Sequence, residues 1–325
     1  HVRCGRPMVL YVLDALAEVD TGRVVVVVGH EAEQVSKRLL ADGPDLPTDF
    51  VEQVVQRGTG DAVGVGLAAF ADEVPDDDAA ILVLPGDTPL LRPGTIAGLV
   101  EQHREHQAAC TLLTARLDDP TGYGRVVRGA DDRVRRIVEQ TDASPEEQAI
   151  DEVNTSIYCF RQSLLAPALR RATPETAPGE LYLTDVVEVL HDAGHPVGSL
   201  VADDPGETVG NNDRAQLAAA EAVLRRRTAR RWMGHGVTMV DPDRTYIDAT
   251  VSLAEDVTLF PGTILQGDCH VGPGCELGPD PRLVDCVVGA GTVVEASMGR
   301  SAEVGERCHV GPYAVLEAGS QLSSD

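Results

Sequence analysis

The sequence predicts an α/β fold with a parallel sheet, then a long helix, and then a parallel β-helix made of six-residue repeats. Three observations lead to this prediction. Apolar strands alternate with amphipathic helices through the first half of the 325-residue chain, which is the pattern of a sheet covered by helices. A run of strong helix formers follows at residues 214–233. Beyond it an aliphatic residue returns at every sixth position.

Composition limits the class of protein. With 43% apolar and 24% charged residues, the chain has the composition of a soluble globular protein of about two domains. Its formal net charge of −25 argues against a general nucleic-acid-binding function, since phosphate contacts need a basic surface. No apolar run approaches the roughly 20 residues that cross a membrane, and the seven cysteines form no CxxC pair. We therefore expect a cytoplasmic protein with reduced thiols and with neither a nucleic-acid nor a membrane partner.

Residues 79–91 are the stretch around which the first half is organised. The apolar run at residues 80–84 breaks at Pro85-Gly86 and leaves Asp87 just beyond the end of the strand. Ligands of open α/β sheets bind at that edge. Asp87 is therefore a candidate metal ligand, and the alternative is a residue that only begins a turn.

The other elements of the first half follow from their periodicity. Apolar residues at helical spacing predict helices over residues 7–19, 31–40 and 60–73. Apolar and β-branched runs predict strands over residues 24–28, 50–55 and 80–84. A parallel sheet is the economical arrangement of these elements. From residue 109 the pattern changes to strands and turns, which predicts an antiparallel insertion over the mouth of the sheet: ACTLLTARL, GYGRVVR, VRRIVEQ and NTSIYCF.

Three polar clusters accompany these elements. Gln53 ends a predicted strand, and Gly58-Thr59 leads into a helix whose free amides favour an anion or a polar base edge. The glycines of residues 121–125 allow backbone to approach a ligand closely. The third cluster follows strands that we expect to end on the same side of the sheet, where its side chains can bond sugar hydroxyls: Glu139, Asn154 and Thr155. Taken singly, each cluster also fits a helix start, a hairpin turn or a surface cap.

The second half changes character after residue 210. Asn or Asp at residues 211–213 caps the long helix, whose arginine-rich stretch is expected to be a solvated face. Seven aliphatic residues then fall at successive six-residue steps: Ile247, Leu253, Leu259, Leu265, Val271, Leu277 and Leu283. A second inward position lies two residues before the next aliphatic one: Val251, Val257, Thr263, Cys269 and Cys275. Each hexapeptide is one face of a three-sided coil of about 18 residues per turn, whereas a β-sandwich would show alternation with period two.

These stretches together resemble one protein family. CGRPMVLYVLDAL, VVVVVGH, QVVQRGTGDAV, VLPGDTPLL, LDDPTGYGRVVR, RIVEQTDA, EVNTSIY, ELYLTD and NNDRAQLAAAE occur in that order before the hexapeptides. They are similar to the bacterial bifunctional enzymes that are both N-acetylglucosamine-1-phosphate uridyltransferases and glucosamine-1-phosphate acetyltransferases. The resemblance runs over essentially the whole chain. It implies a Rossmann-like α/β nucleotidyltransferase domain at residues 1–209, a linker helix at 210–235 and a left-handed parallel β-helix at 236–325.

The resemblance also implies a reaction and its participants. The first domain transfers a uridylyl group from UTP to N-acetylglucosamine 1-phosphate with the help of Mg²⁺, giving UDP-N-acetylglucosamine and pyrophosphate. In the full-length protein the second domain transfers an acetyl group from acetyl-CoA to glucosamine 1-phosphate. Because the family packs three β-helices side by side, we expect a homotrimer.

The family's site residues carry over position by position. Asp87 matches the catalytic aspartate that holds Mg²⁺ together with an asparagine opening the linker helix. That asparagine aligns with Asn212, and with Asn211 if the register shifts by one. The residues matching contacts to the uracil and the nucleotide are Gln53, Gly58, Thr59 and Gly86. The residues matching contacts to N-acetylglucosamine are Gly124, Glu139, Asn154 and Thr155.

Two departures from the family pattern lie at the ends of the chain. The family begins with a strand and a Gly-rich loop whose Arg and Lys hold the triphosphate, whereas the only lysine here, Lys37, lies on the following helix. The coil is expected to stop after four to five turns, before the acetyl-transfer histidine, and Glu317 stands where the family has an arginine. We therefore expect the middle of a bifunctional protein, with little of either activity by itself. The alternatives are a sugar nucleotidyltransferase of other base or sugar specificity and a non-catalytic trimeric scaffold.

Overall fold

A computed structural model describes residues 2–29, 32–70, 79–172, 180–211 and 213–324. By its internal contacts the chain divides into two bodies. The α/β body comprises residues 9–210, and the β-helix body comprises residues 1–8 and 211–325. Within the described ranges, no helix is both long enough and apolar enough to cross a membrane.

The elements begin with a short antiparallel hairpin of the β-helix body, β1 (Val2–Arg3) and β2 (Arg6–Pro7). The next helices are α1 (Met8–Ala17), α2 (Ala32–Asp42), α3 (Thr59–Leu67), α4 (Pro93–Glu105), α5 (Pro145–Gln148), α6 (Gln162–Arg171) and α7 (Asp185–Asp192). The strands of the α/β body are β3 (Val24–Val28), β4 (Thr48–Glu52), β5 (Ala80–Val83), β6 (Cys110–Arg116), β7 (Arg125–Arg128), β8 (Val134–Val138), β9 (Glu152–Arg161) and β10 (Val197–Val201). Short 3₁₀ turns lie at Ala68–Phe70 and Pro205–Glu207.

The described strands of the α/β body form two sheets, a two-stranded parallel one and a six-stranded mixed one, so the prediction of a parallel sheet is wrong in part. Strands β3 and β4 pair in parallel, as do β6 and β10. Strand β9 pairs antiparallel with both β5 and β6 and therefore lies between two strands that run in the same direction. Of the four strands predicted to form an antiparallel insertion, only β7 and β8 do so, as a hairpin that joins the edge of β9 at Val153. The other two, β6 and β9, pair with each other inside the main sheet.

Two elements differ from the sequence prediction by more than two residues at one end. The strand predicted at residues 50–55 runs instead over Thr48–Glu52. It ends there because its partner β3 ends at Val28, whose carbonyl accepts the last hydrogen bond of the ladder from the Gln53 backbone N–H at 2.8 Å. The helix predicted at residues 60–73 ends at Leu67 and continues as the 3₁₀ turn Ala68–Phe70. Residues 71–73 of that prediction lie outside the described residues.

The core of the α/β body lies on both faces of β6 and β9. Leu112 and Phe160 face the cluster that includes α6 and α7. Their neighbours Leu113 and Cys159 face the other cluster, with residues of α1 and α4. Because successive residues of a strand point to opposite faces, a strand buried on both sides reads as a continuous apolar run. Strand β6 shows this directly, since only its last residue is exposed.

The β-helix body begins with α8 (Arg214–Gly234), whose N-cap Asp213 accepts a hydrogen bond from the Gln216 amide at 2.7 Å. A 3₁₀ turn lies at Pro242–Arg244. The short strands that follow stack in parallel into three sheets of five strands. One sheet contains β11 (Thr238–Met239), β14 (Thr258–Leu259), β17 (Glu276–Leu277), β20 (Val293–Val294) and β23 (His309–Val310). The second contains β12 (Tyr246–Ile247), β15 (Ile264–Gln266), β18 (Arg282–Val284), β21 (Met298–Arg300) and β24 (Val315–Leu316). The third contains β13 (Ser252–Leu253), β16 (His270–Val271), β19 (Val287–Val288), β22 (Glu303–Val304) and β25 (Gln321–Leu322).

The six-residue periodicity predicts the core of this coil correctly. All seven aliphatic residues at six-residue steps are buried, and so are the five residues of the second inward position. The stacked partners Leu259 and Leu277 are 18 residues apart, whereas Val288 and Val304 are 16 apart, which explains the slips in the repeat. Gly299 stands where the coil would place an aliphatic residue. All seven cysteines are free and buried, in agreement with the expectation of reduced thiols.

Candidate functional site

A cavity of about 1310 Å³, lined mainly by apolar side chains, opens in the α/β body between strands β3 and β5. All residues of both strands line it. Among the strands that the structure describes, β3 pairs only with β4, and β5 pairs only with β9, so one edge of each faces the cavity. Three of the residues carried over from the family pattern also line it: Thr59, Gly86 and Glu139. The structure therefore brings positions matched to the nucleotide and a position matched to the sugar to one cavity.

Thr59, which lines the cavity, opens α3, and the loop between β4 and α3 carries the positions matched to the nucleotide. We call this loop the nucleotide end. The Gln53 side-chain amide donates to Asp61 Oδ2 at 2.7 Å and to the Gly58 carbonyl at 3.4 Å. Gly58 is the N-cap of α3 with φ of 97°, a left-handed conformation that favours glycine. Gln53 and Gly58 are thus brought together at the N-terminus of α3, a position where the first backbone N–H groups have no acceptor within the helix.

A second segment, residues 181–184, holds this loop in place. The Gly60 amide donates to the Leu181 carbonyl and the Leu181 amide donates to the Arg57 carbonyl, each at 2.8 Å. The Leu183 amide donates to Thr59 Oγ at 3.1 Å. Sequence reasoning noted ELYLTD only as part of the family resemblance and did not predict this contact.

Gly58 gives a direct test of this loop. An alanine there would place its Cβ 2.5 Å from the Leu181 carbonyl oxygen in an unfavourable left-handed conformation. We expect Gly58→Ala to reduce the stability of the α/β body by about 1–3 kcal/mol and to raise the KM for the nucleotide. The matched control is Gly64→Ala in the same helix, where an added Cβ meets nothing within 4 Å. Thermal unfolding and steady-state kinetics measure both effects, and equal behaviour of the two variants would contradict the assigned constraint.

Asp87 lies in the turn that follows β5, as the sequence predicts. Thr88 is 1% exposed, and its hydroxyl donates to the Pro85 carbonyl at 3.1 Å, which closes the turn. Gly210 lies against the carboxylate, since an added Cβ on Gly210 would be 3.3 Å from Asp87 Oδ2. Gly210 precedes Asn212 by two positions, but Asn212 itself lies outside the described residues. The pairing of Asp87 with Asn212 stays a prediction.

Glu139, which lines the cavity, lies close to two other positions matched to the sugar, Gly124 and Asn154. We call this group the sugar end. Gly124 and Glu139 flank the open end of the hairpin β7–β8, and an added Cβ on Gly124 would lie 3.4 Å from Glu139 Oε2. The backbone N–H of Asn154 donates to the Gly124 carbonyl at 2.9 Å. Glu139 Oε1 accepts from the Thr184 hydroxyl at 3.2 Å. Carboxylate, amide and backbone groups therefore converge here, as binding of a polyhydroxylated ligand requires.

The electrostatics of this end follow from burial. Burial raises the pKa of Glu139 most strongly, the Thr184 hydrogen bond lowers it, and the negative charge of Asp142 raises it further. Burial and then the negative charge of Asp87 raise the pKa of Tyr123.

Asn154 and Thr155 lie within β9 rather than after a strand. A bulge opposite Leu113 and Thr114, with Ser156 at φ of 60°, interrupts the ladder at this point. The Asn154 side-chain amide donates to the Tyr158 hydroxyl at 2.8 Å. The Thr155 hydroxyl donates to the Leu113 carbonyl at 2.7 Å and is buried, so in this structure its proton stabilises the bulge.

Comparison with known proteins places the chain among nucleotidyltransferases. A family model described as nucleotidyl transferase matches residues 2–232. A protein of Trichlorobacter lovleyi called bifunctional protein GlmU is 45% identical over 325 residues, which is 100% of this chain and 69% of the relative. Proteins of the same name from Streptomyces coelicolor and Corynebacterium aurimucosum are 45% and 42% identical, over 99% and 98% of this chain and 66% and 65% of the relatives. The chain thus spans about two thirds of the length of these relatives.

Proposed function

This chain belongs to the bifunctional GlmU family, and we propose from this premise that UTP and N-acetylglucosamine 1-phosphate bind at the edge of the α/β sheet next to Asp87, where Gly86, Thr59 and Glu139 border the apolar cavity. The relatives and the nucleotidyltransferase family model confirm the function predicted from sequence, which is synthesis of UDP-N-acetylglucosamine by uridylyl transfer. The observation that carries the site assignment is the convergence of Thr59, Gly86 and Glu139 on one cavity.

In this proposal the nucleotide end and the sugar end bind different parts of the two substrates. The N-terminus of α3, with Gln53 and Gly58, presents amide donors and one carboxamide, which suits the uracil edge and an adjacent phosphate. Gly124, Glu139 and Asn154 present acceptors and donors for sugar hydroxyl and acetamido groups. Holding both substrates in this way converts their reaction into an effectively intramolecular one.

The donor set at Asp87 fits a hard divalent cation. Asp87 supplies a carboxylate and the proposed partner Asn212 supplies an amide oxygen, and oxygen ligands of this kind are those that Mg²⁺ prefers. Among the described residues, no three His, Cys, Asp or Glu side chains are placed to share a metal, so phosphate oxygens and water would complete the coordination. When bound, Mg²⁺ neutralises charge on the phosphates.

The reaction itself needs no covalent intermediate with the protein. A phosphate oxygen of N-acetylglucosamine 1-phosphate attacks the α-phosphorus of UTP, a new phosphorus–oxygen bond forms, and the bond to the leaving pyrophosphate breaks. The chain's own residues orient the attacking oxygen and the α-phosphorus in line, since positioning and charge stabilisation dominate catalysis of this class.

Substrate specificity tests the proposal. In the intact enzyme we expect UTP and N-acetylglucosamine 1-phosphate to give UDP-N-acetylglucosamine and pyrophosphate, with kcat/KM for dTTP or GTP lower by about tenfold or more. Pyrophosphate release and chromatography of the nucleotide sugar measure both quantities. Comparable turnover of dTTP or GTP would indicate a nucleotidyltransferase of other specificity, and no turnover with any nucleotide would indicate a scaffold.

The β-helix body fits the acetyltransferase half of the family. Its flat parallel faces suit side-by-side packing of three copies, which supports the proposal of a homotrimer that takes acetyl-CoA and glucosamine 1-phosphate. The cytoplasmic location and the low activity of residues 1–325 by themselves stay predictions.

A further inference from the structure

Arg125 is a buried cation beside the sugar end of the cavity. It is the first residue of β7, and only 2% of its surface is exposed. The described part of the chain gives its guanidinium no ion pair, and its Nε is buried without a hydrogen-bond partner. Burying a charge without an ion pair costs free energy unless hydrogen bonds to the charged group compensate for the lost hydration.

The guanidinium joins two loops. Arg125 Nη1 donates to the Tyr123 carbonyl, and Nη2 donates to Gln140 Oε1 at 2.7 Å. Gln140 Oε1 also accepts from the Gly122 amide at 3.2 Å. Gly122 and Tyr123 precede β7, whereas Gln140 follows β8, so the two hydrogen bonds to Gln140 bridge the open end of the hairpin and the bond to Tyr123 ties the preceding loop to the same guanidinium.

The bridged loops carry the proposed sugar contacts. Arg125 pairs with Val138 across the hairpin, so the next residues outward, Gly124 and Glu139, stand opposite each other. Their separation is thus set by the ladder on one side and by the Arg125–Gln140 bridge on the other. Neither Arg125 nor Gln140 was predicted as a site residue from the sequence, where they are 15 positions apart.

We propose that Arg125 is a positioning residue for sugar recognition, holding Gly124 and Glu139 at the separation that the N-acetylglucosamine moiety requires. The inference rests on the proposed function. Arg125 itself is assigned no contact with substrate, because its Nη1 and Nη2 atoms donate to Tyr123 and Gln140.

The chemistry of the guanidinium makes the proposal specific. Its planar fork presents donors from two nitrogens in fixed directions, whereas lysine concentrates its charge and donors on one nitrogen. A lysine at residue 125 keeps the charge and most of the volume but cannot reach both acceptors in the same geometry. The sugar end then loosens, while the nucleotide end, which is built on β4 and α3, keeps its own hydrogen bonds.

The test compares two KM values in the intact enzyme. We expect Arg125→Lys and Gln140→Ala each to raise the KM for N-acetylglucosamine 1-phosphate by about tenfold with the KM for UTP unchanged. Because both changes break one bridge, the double variant is expected to be no worse than either single variant. Gln140→Ala leaves Arg125 and its hydrogen bond to Tyr123 in place, so it provides a second test even where Arg125→Lys lowers stability, and thermal unfolding of each variant separates a loss of stability from a change in KM.

Arg128→Lys is the matched control. Arg128 lies on the same strand, but its Nη2 bonds Glu152 Oε1 at 2.7 Å. We therefore expect Arg128→Lys to lower Tm without changing the ratio of the KM for N-acetylglucosamine 1-phosphate to the KM for UTP. An unchanged KM for N-acetylglucosamine 1-phosphate, an equal rise in both KM values, or effects that multiply in the double variant would each overturn the positioning role. Failure of the unmodified enzyme to make UDP-N-acetylglucosamine would instead count against the proposed function.

Discussion

Asp87→Asn is expected to lower kcat for uridylyl transfer by about a hundredfold or more while leaving the fold intact. Asp87 follows β5 at the edge of the sheet, and Gly210 lies against its carboxylate. The amide of asparagine keeps the size of the side chain but removes the negative charge that binds a hard cation. Metal ions contribute several kcal/mol to such reactions, and each 1.4 kcal/mol is about a factor of ten in rate.

The measurement is pyrophosphate release by the intact enzyme over a range of Mg²⁺ concentrations. Asp131→Asn is the control, because Asp131 is an exposed aspartate in the turn between β7 and β8. We expect that control to keep normal turnover and Asp87→Asn to stay impaired at saturating Mg²⁺. Turnover close to that of the unmodified enzyme would remove Asp87 from the metal site.

Glu152→Ala is expected to destabilise the α/β body by about 3 kcal/mol, the lower end of the range for a broken buried ion pair. Glu152 is 3% exposed and accepts from Arg128 Nε at 2.9 Å, Arg128 Nη2 at 2.7 Å and the Thr114 hydroxyl at 2.8 Å. Removing the carboxylate leaves the Arg128 cation and the Thr114 hydroxyl partly buried without this partner. Hydrogen exchange of the β6 and β9 amides measures the loss locally, which suits a chain of two bodies.

The same ion pair predicts a pH dependence. Burial raises the pKa of Glu152, but hydrogen bonds from Arg128 and Thr114 outweigh it and hold the pKa below the ordinary 4.5. A carboxyl group with a lowered folded-state pKa contributes stability above its unfolded pKa and loses it as the pH falls through the folded pKa. We therefore expect stability to fall below about pH 4.5 more steeply in the unmodified protein than in Glu152→Gln. Identical pH profiles would contradict this linkage.

The sequence by itself determined the elements whose signal is local. Five successive β-branched residues predict the strand at residues 24–28, and the structure has it with the same bounds. The six-residue period determined the inward positions of the coil, because every turn repeats the same three-sided environment. Asp87 was placed after its strand for a similar reason, since Pro85 and Gly86 end an apolar run.

Only the tertiary structure decided the arrangement that makes a site. The entry of β9 between β5 and β6, the contact of Leu183 with Thr59 and the bridge from Arg125 to Gln140 each join residues distant along the chain. Thr59 and Leu183 are 124 positions apart, and a threonine or a leucine near the start of a helix is too common to indicate such a contact. Such contacts leave no periodic or compositional trace, because they depend on the direction in which whole strands pack and not on the preferences of the residues that finally meet.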